Sequence, residues 1–231
     1  MQARHQEAAD AIFAATGPTR HSGTVRGTML TWSAAILAGG KARRLDGQAK
    51  PLLDVGGATI LARQRATFAA LGAEPALIAP AAAGLAPTGL PVVADRVADG
   101  GALGALWTAL DAADTDVVVV VAGDMPFLTA GFIEVLLARI GDHDAVIPRT
   151  AAEGWHPLAA AYRRRVAPRL RRQLDAGERR VVAAVAALDV VVLDDAALAP
   201  LDPDGTLLCN VNTPADYARA RQLGGPAASR E

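Results

Sequence analysis

The sequence predicts a three-layer α/β/α domain around a mostly parallel central sheet, and two features carry that expectation. From Ser33 onward, short apolar runs alternate with longer stretches of helical period, as in successive βαβ units. Residues 117–121 are five valines in a row, and an unbroken β-branched run suits a strand at the centre of a sheet covered on both faces.

In chain order, residues 34–38 read as the first strand, running into Gly39-Gly40 and a basic loop that ends near Lys50. A helix follows over 59–71, with Thr59 as N-cap and Gly72 where a left-handed C-terminal residue is wanted. Strands are expected at 76–79 and 91–94, the second delivering Asp95, and a helix at 102–112. After the valine strand, which ends on Gly123-Asp124, a helix is expected at 129–140 and a strand at 145–148. Residues 157–162 read as one more strand, of antiparallel sense. An amphipathic helix over 166–176 stops at Gly177. A strand at 190–193 precedes a last helix from Pro214, where Thr213, Pro214 and Asp216 supply the N-cap, the N1 proline and an acidic N3. Residues 1–31 are polar and aperiodic and are expected to be a disordered extension; 32–225 form the domain, and 226–231 a flexible tail.

Composition bounds the function. Of 231 residues, 52% are hydrophobic and 20% charged, and the formal net charge of −1 offers no general attraction to nucleic acid or to a membrane surface. No apolar run approaches the roughly 20 residues of a membrane-spanning helix. A single cysteine, Cys209, excludes an internal disulfide and suits a reducing, cytoplasmic setting. Four scattered histidines and that one thiol make no nucleophile–base pair.

In open α/β sheets ligands bind beyond the carboxyl ends of central strands, so polar residues that directly follow apolar runs are the candidates. Gly39 and Gly40 allow close backbone approach to phosphate oxygens, and Lys41, Arg43, Arg44 and Lys50 put four cations within ten positions, as a triphosphate would require. The alternative is an ordinary tight turn with a solvated basic loop. Neither a GxxxxGK[ST] nor a GxGxxG pattern is present. Asp124, closing the valine strand, is costly there without a partner; Mg²⁺ would serve, as would a simple capping role in the turn. Asp95 is open between metal ligation, a nucleotide hydroxyl and capping.

Five segments then stand out together: Leu37-Ala38-Gly39-Gly40, Arg43-Arg44, Lys50-Pro51-Leu52-Leu53, Gly123-Asp124-Met125-Pro126 and Asn210-Val211-Asn212-Thr213-Pro214. With His156-Pro157 and Gly177-Glu178-Arg179-Arg180-Val181, they resemble the molybdenum cofactor guanylyltransferase family, and the resemblance covers residues 33–223. The resemblance implies a Rossmann-like nucleotidyltransferase fold and Mg²⁺-dependent transfer of GMP from GTP to molybdopterin, with release of pyrophosphate. It implies that Leu37, Ala38, Gly39, Gly40 and Lys50 hold the nucleotide, that Asp95 contacts guanosine, and that Asp124 binds both nucleotide and Mg²⁺. Lys50 and Asp124 are the expected catalytic pair. Gly40 favours guanine, since related cytidylyltransferases carry Leu-Ala-Ala-Gly there. His156, Arg179, Arg180, Asn210 and Asn212 are the expected acceptor contacts. The implied partners are GTP, molybdopterin cofactor and proteins of molybdoenzyme maturation or cofactor delivery. The sequence departs from the family pattern at Ala49, where an aspartate usually precedes the lysine, at Ala102, where a proline is usual, and around Ala79-Pro80, where an asparagine is often found. A cytidylyltransferase of the same fold, or a nucleotide-binding module without turnover, is the alternative.

Overall fold

The computed structural model describes residues 21–25, 28–39, 44–45, 48–80, 85 and 88–225. The described residues open with a hairpin of β1 (His21–Val25) and β2 (Thr28–Leu37), followed by the two-residue strands β3 (Arg44–Leu45) and β4 (Gln48–Ala49). A 3₁₀ turn over Lys50–Leu52 leads into α1 (Ile60–Ala69), β5 (Ala76–Ala79), β6 (Val92–Ala94), α2 (Gly101–Ala112) and β7 (Val117–Ala122). Then come α3 (Ala130–Arg139), β8 (Ala145–Thr150), β9 (Gly154–Trp155), β10 (Ala159–Arg163) and α4 (Ala167–Asp175). Helix α5 (Val181–Val185), β11 (Val190–Leu193), α6 (Asp195–Leu198) and α7 (Pro214–Gly224) complete the chain.

The helix starts follow local chemistry. Thr59 and Thr129 accept hydrogen bonds from Ala62 N–H and Phe132 N–H, and Thr213 with Asp216 closes a reciprocal capping box at α7. Gly72 and Gly177 take left-handed backbone, as their places after helices demand.

The sheet runs β11-β8-β10-β7-β2-β5-β6. β7, β2, β5 and β6 are mutually parallel, β11 is parallel to β8, and β10 is antiparallel to both its neighbours. Strand alternation splits the valine run between two cores. Val117, Val119 and Val121 pack with Ile36, Leu77 and, from α1 and α3, Phe68, Phe132 and Leu136. Val118 and Val120 face the other way, toward Leu106 and Leu110 of α2, Leu170 of α4 and Val185 of α5. This is the three-layer α/β/α arrangement the sequence predicts.

The difference lies at the front. Residues up to 31 are expected to be structureless, yet His21–Val25 pairs with Thr28–Trp32 as an antiparallel hairpin, extending β2 well ahead of the strand expected at 34–38. Polar composition hides such a strand because one face of an edge hairpin need not be apolar. Residues 1–20 and 226–231 lie outside the described residues.

From β2 the chain passes to β5 and β6 on one side, then returns to β7 on the other. The strand ends therefore diverge between β2 and β7 and leave a crevice there. Because β10 runs antiparallel with Ala159 opposite Val121, the residues just before Ala159 reach the same end of the sheet.

Candidate active site

At that end lies a cleft of about 720 Å³. Leu37, Ala38 and Gly39 line it from the end of β2, Asp95 from the end of β6, Gly123 and Asp124 from the end of β7, and His156 from the approach to β10. Asn210 and Asn212 enter from the segment before α7. Gly40, Lys41 and Arg43 lie outside the described residues. Backbone bonds hold the rim together: Gly123 N–H donates to the Leu37 carbonyl at 3.0 Å and Ala122 N–H to the Leu158 carbonyl at 2.7 Å. A Cβ on Gly123 would come within 3.0 Å of the Pro51 ring, so glycine lets the Lys50-Pro51 segment seat against the strand end.

Lys50 is the centre of the site. Only 6% exposed, it places its Nζ 3.2 Å from Asp124 Oδ2 and 2.6 Å from Asn212 Oδ1. Burial pushes the Asp124 carboxyl above the usual carboxylate range, against the pull of the Lys50 ammonium. Asp124 therefore sits in a place that disfavours its charge, with one cation and, at 20% side-chain exposure, still open to the cleft.

A lone carboxylate open to the cleft suits a divalent cation that takes most of its ligands from substrate and water. Mg²⁺ is commonly held by one or two protein carboxylates, the rest of its shell being substrate phosphate oxygens and water. Asp124 fits the role of that single carboxylate. Among the described residues, no three His, Cys, Asp or Glu side chains gather as a metal cage. Asp95 is engaged in its own turn, its Oδ1 accepting from Val97 N–H at 3.1 Å and Thr108 Oγ1–H at 3.2 Å.

On the opposite wall His156 is buried, its Nε2 3.2 Å from Thr150 Oγ1, and burial lowers its pKa. The neighbouring Pro157 carbonyl accepts the buried Tyr162 hydroxyl at 2.6 Å. Two parts of the wall escaped the sequence reading. Trp155 lines the cleft with the Arg149 guanidinium 5.5 Å from its ring centre; its place next to His156-Pro157 was the available signal. Asp99 and Gly100 line the cleft just ahead of α2, joined by Gly101 as its first residue, with left-handed backbone at Asp99 and Gly101. A Cβ on Gly100 would meet Gly104 Cα and the Val97 side chain, each at 2.8 Å.

Arg179 and Arg180 are not brought to the cleft lining. Arg179 Nη1–H donates to the Leu174 and Glu178 carbonyls, and the Arg180 guanidinium lies on the Glu178 carboxylate. Their sequence neighbour Val181 lines the cleft instead, because these arginines close the turn into α5. The Arg180 N–H and guanidinium, then the Arg179 N–H, hold Glu178 down to about 2 from its usual 4.5. A depressed carboxylate contributes stability that is complete above the unfolded-chain value and lost as pH falls through the folded one. NMR titration of the Glu178 carboxyl is expected to show a midpoint near 2; a midpoint near 4.5 would mean the turn is not held this way.

Residues 34–191 match the MobA-like NTP transferase domain. A molybdenum cofactor guanylyltransferase of Rhodopseudomonas palustris is 34% identical over 82% of this chain and 92% of its own length. A second, of Desulfosudis oleivorans, is 28% identical over 80% and 92%. The crystal structure of molybdopterin-guanine dinucleotide biosynthesis protein A from Archaeoglobus fulgidus superposes with a TM-score of 0.70, at 25% identity, covering 82% of this chain and 97% of that one.

Proposed function

This chain belongs to the MobA-like NTP transferase family, and from that premise we propose that it transfers GMP from GTP to molybdopterin cofactor, forming the guanine dinucleotide and releasing pyrophosphate. The observation that carries the reading is the meeting of Lys50, Asp124 and Asn212 between the ends of β2 and β7. A terminal phosphate oxygen of the acceptor attacks the α-phosphorus of GTP, and the bond from that phosphorus to the oxygen bridging to the β-phosphorus breaks. No covalent enzyme intermediate is needed, so the protein's task is placement and charge.

The Leu37-Ala38-Gly39 backbone receives the nucleotide, and Lys50 meets the negative charge that develops on the departing pyrophosphate. Asp124 would hold Mg²⁺, which would supply charge neutralisation at the phosphate oxygens during the displacement. Asp95 faces the nucleoside with its geometry set by Val97 N–H and Thr108 Oγ1. His156, Asn210 and Asn212 lie on the acceptor side, and Asn212 also steadies the Lys50 ammonium. We place this work in the cytoplasm, which supplies GTP and keeps a lone thiol such as Cys209 reduced. There the product passes to molybdoenzyme maturation or delivery proteins.

The test is pyrophosphate release by the purified chain with Mg²⁺ and molybdopterin acceptor. Release is expected with GTP to exceed that with CTP at least tenfold. Faster release with CTP would replace the guanylyl reading by a cytidylyl one, and tight GTP binding with no release would show a binding module.

A further inference from the structure

We infer that Gln64 of α1 is a positioning residue for Asp124: its one amide nitrogen binds the carbonyls on both sides of the Gly123-Asp124 pair, so the carboxylate is aimed from beneath the sheet end. The inference rests on Asp124 holding the nucleotide's metal ion, as proposed above. Gln64 is 1% exposed, and its Nε2 donates to the Ala122 carbonyl at 2.7 Å and the Met125 carbonyl at 3.0 Å. Of the two carbonyls between them, that of Asp124 accepts from Val211 N–H at 2.8 Å, and Gly123 N–H is held by the Leu37 carbonyl. The turn that carries the acid is thus tied at four backbone groups, two of them by this side chain.

A space-filling role would not select glutamine. Gln64 Oε1 is buried with no hydrogen-bond partner, a cost that leucine or methionine would avoid. What glutamine adds is a nitrogen with two hydrogens in one plane, able to serve two carbonyls at once. Reversing the amide would set Oε1 against both carbonyls, so the donors fix its orientation. The clamp also stands on a firm base, since Leu61 and Phe68 of the same helix are buried in the core. Groups that orient a metal ligand from behind typically change metal affinity or activity 10–100-fold when removed.

The same helix supplies a control. Thr67 Oγ1–H donates to the Leu128 carbonyl at 2.9 Å, tying down the chain beyond the Asp124 turn without touching that turn. The experiment compares the full-length wild type, Gln64→Met, Gln64→Asn and Thr67→Val. Mn²⁺ is the probe, its binding in the presence of GTP is read from the EPR signal of the free ion, and thermal midpoints are recorded alongside. Gln64→Met is expected to weaken Mn²⁺ binding by about 10-fold or more. Gln64→Asn, whose amide is drawn back by one methylene, is expected to weaken it less. Thr67→Val is expected to lower the thermal midpoint while keeping Mn²⁺ affinity within about twofold of wild type, since the bond it loses lies away from the turn. Wild-type affinity in the Gln64 variants would overturn the inference, as would an equal loss in Thr67→Val, which would show that affinity merely follows stability. Should Gln64→Met fail to fold, Gln64→Asn decides by the same criterion. No Mn²⁺ binding by the wild type would remove the proposed metal role of Asp124, and this inference with it.

Discussion

Asp124→Asn is expected to lower kcat by about 10²–10³-fold, the scale of a lost electrostatic group in a pre-organised site, while the thermal midpoint measured without Mg²⁺ stays close to wild type. Two effects of the substitution oppose each other in the unliganded fold. The variant removes a carboxylate whose charge is disfavoured by burial, and it replaces the anionic partner of Lys50 with a neutral amide oxygen while Asn212 stays in place. The sign of the pH dependence follows from the direction of the shift. A carboxyl raised above its unfolded value of 3.8 is favoured by folding in its neutral form, so stability is lost as pH rises from that value through the folded one. A bound divalent cation removes this penalty. The stabilisation that Mg²⁺ and GTP give the wild type is therefore expected to grow with pH across the acidic range, and to be small and flat in Asp124→Asn. Thermal shifts at several pH values, beside steady-state kinetics, measure both. Unchanged turnover in Asp124→Asn would reject the residue as the metal ligand.

Lys50→Met is expected to be nearly as severe, lowering kcat/KM by about 10²–10³-fold, because it removes a fixed cation from a water-poor site. It differs from Asp124→Asn in its pH signature. Lys50 is the main group opposing burial at Asp124, so without it only a backbone hydrogen bond works against desolvation and the carboxyl rises further. The acidic limb of residual activity should then move to higher pH, and excess Mg²⁺ should recover part of the loss. A pH–rate profile at two Mg²⁺ concentrations checks this; an acidic limb that stays in place would mean the two side chains do not act on one another. Methionine matches the lysine stem in length, so the 6% exposed pocket stays filled and the loss is one of charge.

Much of the fold was legible because its signals are local. The strands at 76–79 and 190–193 stand where the apolar runs place them, and Thr59, Thr129 and Thr213 cap the helices that follow them. The antiparallel sense expected for the strand after His156-Pro157 is that of β10. Other elements were too short or too polar to show a period: β9 has two residues, α6 four and α5 five. The hairpin before residue 31 carried no apolar stripe. Among the arginines of 163–180, the family pattern marked Arg179 and Arg180 as acceptor contacts, but their partners show that they close a turn, while Arg171 lies over the Trp107 ring.

Within the candidate site, Gly39, Lys50, Asp95 and Asp124 could be named from the text alone, because each directly follows an apolar strand or the loop after one. Their relations could not. Lys50 finds Asp124 74 positions away and Asn212 162 positions away, and Gln64 finds Met125 61 positions away. Gln64 reads in sequence as an ordinary polar position on an amphipathic helix. Hydrophobic period and capping chemistry act over a few residues, so they determine which segments become strands and helices and which residues stand at their ends. Strand order and the crossing of chain segments bring those ends together, and in the resulting cleft burial raises the Asp124 carboxyl while the paired Lys50 ammonium pulls it back.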